Sequence, residues 1–163
     1  MISLLPASLL PGSQSRDLGF DQVLWLDSDE HRYVEEVGAM NIFFKIAGRV
    51  ITPPLGGSIL PGVVRDSTIT LLRDWNIPLE ERRIGIDEVI DAFRNGELEE
   101  VFGAGTAAVI CPVASIGYQD VVFRVANTPP GTLTLRLYDE LTGIQYGKIK
   151  DRHDWNQCIA LKD

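Results

Sequence analysis

Apolar positions along this chain fall into short runs separated by glycine, proline and acidic turns. That spacing predicts a mixture of strands and helices, with no internal repeat and no low-complexity linker. Ala7 to Arg16 reads as the end of an irregular segment or a short helix. Gln22 to Leu26 (QVLWL) suits a buried strand, and Asp27-Ser28-Asp29-Glu30 is a polar turn after it. Tyr33 to Ala39 and Met40 to Ile46 read as extended, with Gly48 turning the chain into Arg49 to Thr52. Arg82 to Ile84 fits a strand. Asp87 to Arg94 fits a helix with Val89, Ile90 and Phe93 inward, closed by Asn95-Gly96 as a glycine C-cap.

The pattern is most informative at Ser58 to Trp75, SILPGVVRDSTITLLRDW. Pro53-Pro54 and Gly56-Gly57 mark the loop leading into it, and Leu60-Pro61-Gly62 opens an amphipathic helix. Val64, Ile69, Leu71, Leu72 and Trp75 recur near helical spacing and form its buried face. The first turn of such a helix has backbone N–H groups without helical partners, and its dipole favours an anion. Gly62 would let a ligand come close to the main chain, so a phosphate suits this end. The same residues also fit an ordinary loop-to-helix junction.

Val101 to Val113 (VFGAGTAAVICPV) places two apolar runs on either side of Gly103-Ala104-Gly105-Thr106. The spacing Gly103-x-Gly105-x-x-Ala108 mimics a dinucleotide-binding fingerprint, but that fingerprint must open a helix. Val109, Ile110 and Pro112 oppose a helix there, so the reading is strand, glycine turn, strand. The turn is either a second anion cradle, with the Thr106 hydroxyl beside bare N–H groups, or a plain tight hairpin. Gly131 to Leu137 alternates like a strand, while Leu137, Leu141 and Ile144 follow helical spacing. A helix from about Leu133 to Tyr146 is preferred, with Thr132 as N-cap after Pro129-Pro130 and Gly147 at its end. Trp155 to Leu161 reads as a short closing strand or tail.

Composition narrows the function classes. The 163 residues, 45% of them hydrophobic, suffice for one real core. A net charge of −8 argues against nucleic acid and anionic membranes as partners. No apolar run reaches the length that spans a bilayer. The first residues are apolar but have no basic residue before Arg16 and are broken by Pro6 and Pro11, which makes a poor secretion signal. Cys111 and Cys158 have no metal-ligand spacing and read as buried thiols, so the expectation is a cytoplasmic, soluble protein with no metal site. His31 and His153 stand among charged residues and read as solvated.

Four stretches then carry a resemblance: GFDQVLWLDSDEHRYVEEVGAMNIFF, TPPLGGSILPGVVRDSTITLLRDW, VFGAGTAAVICPV and RLYDELTGIQYG. From about Ala7 to Leu161 the chain resembles the branched-chain amino acid aminotransferases, fold-type IV enzymes that use pyridoxal phosphate. The resemblance implies an α/β domain around a twisted pseudo-barrel of strands. It also implies that residues 1–163 form a single domain like the family's C-terminal large domain, with the N-terminal small domain absent and the family's chain roughly twice as long. The implied chemistry is amino-group transfer between leucine, isoleucine or valine and 2-oxoglutarate, as in branched-chain amino acid biosynthesis.

By the same resemblance, Glu36 matches the acidic residue that faces the cofactor's pyridine nitrogen and keeps it protonated. Gly62, Val63 and Val64 match the helix start that holds the phosphate. Gly105, Thr106 and Ala107 match the turn whose main chain helps hold the phosphate and the substrate carboxylate. The departures are as specific. Ala39 stands where the family commonly has a threonine toward the substrate carboxylate, and Val64 where it commonly has a threonine toward the phosphate. The Schiff-base lysine aligns just before Met1, and Lys45, Lys148, Lys150 and Lys162 do not match it, so no catalytic residue is assigned to this chain. The resulting expectation is a truncated aminotransferase-like chain that is inactive alone, paired as a homodimer or with a missing N-terminal half. The alternative is a non-catalytic relative that binds pyridoxal phosphate or phosphate and pairs with or regulates another protein.

Overall fold

A computed structural model describes residues 5–119, 121–125, 131–157 and 159. After helix α1 (Leu5–Asp17), the strands β1 (Leu24–Leu26), β2 (Val34–Val37), β3 (Met40–Ile46) and β4 (Arg49–Thr52) form an antiparallel meander. Ala47 and Gly48 close the β3–β4 hairpin with φ of 47° and 77°, the positive pair that a two-residue turn matched to strand twist requires. Helix α2 (Val63–Asp74) then crosses over to β5 (Leu79–Glu81), which pairs parallel with β4. After α3 (Ile86–Arg94), strand β6 (Leu98–Gly105) runs antiparallel to β3 from Ile46↔Leu98 to Asn41↔Ala104, and β7 (Val109–Pro112) folds back on it. A small hairpin, β8 (Ser115–Tyr118) and β9 (Val121–Arg124), precedes α4 (Thr132–Gln145).

The α/β class implied by the resemblance holds. The seven paired strands form an open sheet, and the described pairings do not close into a ring. Since β6 takes one edge of β3 along its length, β2 and β4 must share the other, β2 at the start and β4 at the end. Both faces of the sheet are covered, which is why Ile42, Phe43 and Phe44 can be apolar in succession. On one face Phe43, Phe102, Ala104 and Ile110 pack under α2 (Ile69, Leu71, Leu72) and α4 (Leu137, Leu141). Phe43 and Phe102 stack with centroids 5.1 Å apart. On the other face Val37, Ile42, Phe44 and Val101 meet α3 (Val89, Ile90) and the small hairpin (Ile116, Phe123). Each of Phe43, Phe44 and Phe102 is fully buried, a gain of about 1.5–3 kcal/mol per ring over an exposed position.

Four local expectations shift. The strand expected at Arg82–Ile84 lies at Leu79–Glu81, because residues 79–81 take the free edge of β4. Arg82–Ile84 instead carries the chain across to β2, where the Ile84 carbonyl accepts the Val34 N–H at 2.9 Å. The turn expected at 103–106 lies at 106–108, since Gly103 to Gly105 still pair with Cys111 to Val109. Helix α4 begins at Thr132 with Gly131 as N-cap, and Thr132 makes no capping bond. Its first turn is served from elsewhere: the buried Glu100 carboxylate accepts the Leu133 N–H at 3.2 Å, the Thr134 N–H at 2.8 Å and the Thr134 hydroxyl at 2.7 Å. Lastly, Trp155 to Gln157 form no strand, while Cys158, Lys162 and the end of the expected tail lie outside the described residues. Among the described residues, no helix is long and apolar enough to cross a membrane, and no cluster could hold a metal ion.

Candidate functional site

Glu36 lies on β2, one strand in from β1, directly opposite Asn41 of β3. Its Oε1 accepts the Leu60 N–H at 3.1 Å and the Asn41 Nδ2–H at 3.2 Å. Asn41 also donates to the Leu60 carbonyl at 2.9 Å. Leu60 leads through Pro61 to Gly62, the N-cap of α2. Gly62 has no side chain to cap the helix, and the first-turn N–H groups gain no side-chain partner there. A Cβ on Gly62 would sit 2.3 Å from the Asn41 Oδ1, so a glycine is required by close approach. Thus a carboxylate and an uncapped helix N-terminus are tied together by a two-residue bridge. The sequence singles out both residues as candidates but not Asn41. Its signal was an uncharged polar residue set directly between the apolar Met40 and Ile42 of a strand, and it is only 5% exposed.

The turn after Gly105 is held by the β2–β3 hairpin. A Cβ on Gly105 would meet the Met40 Cγ at 2.8 Å and the Ala39 carbonyl oxygen at 3.6 Å. Ala104 pairs with Asn41, so Glu36, Asn41 and Ala104 share one face, while Gly103 and Gly105 face the Met40 side. Ala39, Val63, Thr106 and Ala107 are exposed, Val64 half-buried against the α2 core. Val109, which ends the turn, holds φ at 56°, a conformation a β-branched residue adopts only under constraint.

The electrostatics separate the carboxylates. Burial pushes the Glu36 carboxyl above its ordinary value, and neighbouring Glu35 adds to this, against the opposing bond from the Leu60 N–H. Lys45 is an unsuitable nucleophile. Burial alone would lower it, but Glu99 at 2.8 Å and Glu100 at 3.5 Å outweigh this and hold its ammonium above the ordinary range. It also lies four residues along β3 from Asn41, about 13 Å at strand rise. Lys148 and Lys150 are exposed beyond α4. Arg65, in the first turn of α2, is buried; it donates to the Pro53 carbonyl at 2.9 Å and pairs with Glu81 at 3.0 Å, bracing the loop under the helix start. Its Nε is unpartnered.

Two side readings change. Cys111 is half-buried, not fully buried. His31 is exposed as expected, but His153 is not solvated: its Nε2 lies 2.9 Å from Asp74 Oδ2 and its ring stacks on Trp155 at 4.5 Å.

Residues 5–116 match the amino-transferase class IV family. The chain is 54% identical, over 91% of its length, to a probable branched-chain-amino-acid aminotransferase of Staphylococcus epidermidis, of which it covers 42%. It is 50% identical to branched-chain-amino-acid aminotransferase 2 of Bacillus subtilis, over 94% of this chain and 43% of that one. Its fold matches the crystal structure of Escherichia coli branched-chain amino acid aminotransferase with a TM-score of 0.76 and 31% identity, covering 91% of this chain and 45% of that one. It also matches the enzyme of Thermobaculum terrenum in its PLP form, with a TM-score of 0.72 and 29% identity over 85% of this chain and 41% of that one. The chain therefore spans less than half the length of these relatives. A match across more than half of its residues establishes that the chain belongs to the class IV amino-transferase family.

Proposed function

We propose that this chain carries the ring-and-phosphate half of a pyridoxal-phosphate site in a branched-chain amino acid aminotransferase, and that the reactive amine comes from residues outside it. The single observation that supports this is the Glu36–Leu60–Asn41 tie, which holds a carboxylate beside the uncapped start of α2. The fit is good in kind: bare N–H groups and a helix dipole suit a phosphate, and a half-buried carboxylate suits a protonated ring nitrogen. Bound there, the cofactor would supply an electron-withdrawing pyridinium ring. Gly62, Val63 and Val64 would hold its phosphate, Glu36 its nitrogen, with Gly105 and Thr106 contributing main chain. Ala39 and Ala107 would border an amino acid or 2-oxo acid substrate. A small domain, or a second copy of the protein, would complete the site.

The test is a titration of the purified chain with pyridoxal 5′-phosphate and with pyridoxal, each with and without borohydride. The phosphate ester should bind more tightly, Glu36→Ala should weaken it, Lys45 should carry no reduced adduct, and leucine with 2-oxoglutarate should give no turnover. Supplying the remaining half of a relative in trans should restore turnover. Equal binding of the two pyridines, or an adduct on Lys45, would overturn the reading. A second reading, a non-catalytic binder that pairs with another protein, is favoured by the exposure of Leu55 (51%), Leu60 (69%) and Val63 (81%) on the loop and helix start beside Glu36. Failure of turnover with every complementing half, despite cofactor binding, would select it.

A further inference from the structure

We propose that Asn41 is the positioning residue of this site, fixing Glu36 and the start of α2 relative to each other so that one rigid cofactor can reach both. The inference rests on the cofactor-binding reading above. Asn41 is buried, and its amide nitrogen has two N–H groups, one spent on Glu36 Oε1 at 3.2 Å and one on the Leu60 carbonyl at 2.9 Å. Both partners are acceptors, so the nitrogen must face them and the amide cannot be flipped. The Leu60 N–H returns to the same Glu36 oxygen at 3.1 Å, closing a ring of three residues. Both bonds fall on Oε1, and none of the described residues bonds Oε2. That second oxygen would be available to a protonated ring nitrogen if the cofactor bound here.

The other side of the amide does separate work. Asn41 Oδ1 fills the space where a Cβ on residue 62 would lie, 2.3 Å away, so the side chain also sets how closely the N-cap approaches the sheet. Asn41 is pinned in turn, since its backbone pairs with Glu36 on one side and Ala104 on the other. One buried side chain thus spaces the carboxylate end of the site from the phosphate end. Glu36 alone, on a solvated rotamer, could swing away from the ring; a carboxylate held by two donors cannot without losing both.

Two variants read this directly. Asn41→Asp keeps the volume but removes both donors, and Asn41→Ala removes the whole amide. In the unliganded chain, the Glu36 carboxyl titration by carbon NMR should move upward in both, and Leu60 amide exchange should accelerate about tenfold, the loss expected for a hydrogen bond to a charged group. With ring-labelled pyridoxamine 5′-phosphate, which needs no lysine, affinity should fall about tenfold. The ring-nitrogen signal should also shift toward the unprotonated form. Gly62→Ala should mimic these losses with Asn41 present and add little in the Asn41→Ala background, because its steric partner is then gone. Thermal melts identify folded samples. If Asn41→Ala unfolds, Asn41→Asp and Gly62→Ala decide. Glu36 titration, Leu60 exchange and ring-nitrogen signal all at wild-type values in folded variants would overturn the positioning role. A wild-type chain that leaves pyridoxamine phosphate unbound, while both unliganded readouts respond to Asn41, would overturn the cofactor reading and with it the use assigned to the tie.

Discussion

Replacing Glu100 should show how far α4 depends on a cap supplied by a distant strand. Its carboxylate is 6% exposed and serves two backbone N–H groups and a hydroxyl of α4, while sitting 3.5 Å from the Lys45 ammonium. In Glu100→Ala, two buried N–H groups lose their acceptor at about 1–3 kcal/mol each. Removing one member of a buried charged pair costs about 3–5 kcal/mol. These terms overlap, and Lys45 keeps Glu99 at 2.8 Å, so the net expectation is about 3 kcal/mol. Glu100→Gln keeps an acceptor oxygen but no charge, and should cost about 1–1.5 kcal/mol. Urea unfolding, followed by far-UV circular dichroism, converts these to midpoints. At a slope of about 2 kcal/mol/M, the alanine variant should fall by about 1.5 M and the glutamine variant by about a third to half of that. Trp75 offers a second probe, since Arg136 of α4 stacks on its ring at 3.6 Å. Its fluorescence should change at the same midpoint. An alanine midpoint within about 0.3 M of wild type, at unchanged slope, would refute the cap as a stabilising element.

Asp27 accepts the backbone N–H groups of Tyr33 at 2.7 Å, Glu30 at 2.8 Å and Arg32 at 2.9 Å, with Arg83 nearby, which lowers its carboxyl to about 2. A depressed carboxylate stabilises the fold above its ordinary value of 3.8 and loses that contribution as pH falls to about 2, so the acid limb of a melting profile should flatten in Asp27→Asn. An unchanged profile between those values would count against it. Glu36 has the opposite sign: burial raises it, so its contribution is present below 4.5 and is lost as pH rises through the elevated native value. Glu36→Gln should therefore melt higher than wild type at neutral pH, with the gap closing near pH 4, while pyridoxamine phosphate binding weakens; a lower melt at neutral pH would refute this. Val64→Thr should tighten pyridoxal phosphate by about tenfold or more through a hydroxyl bond of about 1.5–3 kcal/mol, read by fluorescence titration, and an unchanged affinity would place the phosphate elsewhere.

Local order was legible because it is written in short-range terms. The alternation and runs around residues 22–52 and 101–113 identify strands, since side chains on a strand repeat every two residues, although β6 begins earlier, at Leu98. The glycines at 48 and 96 mark chain reversals, which their φ values of 77° and 73° bear out. The helix opening at Gly62 followed from a loop signal and an apolar period, and the uncapped first turn follows from glycine having no side chain. Register and polar pairing were not legible in this way. Whether residues 79–81 or 82–84 form the fifth strand depends on which segment reaches the edge of β4 after a helical crossover, and both are equally extended as sequence. Glu100 caps a helix 33 residues later, and Asn41 binds a carbonyl 19 residues away. A carboxylate or amide has the same local signature whether it is solvated or buried against distant N–H groups. Only the packed sheet, by fixing which residues face each other, decided that Glu36, Asn41 and Leu60 meet, because hydrogen bonding depends on ångström-scale distances that sequence spacing does not encode.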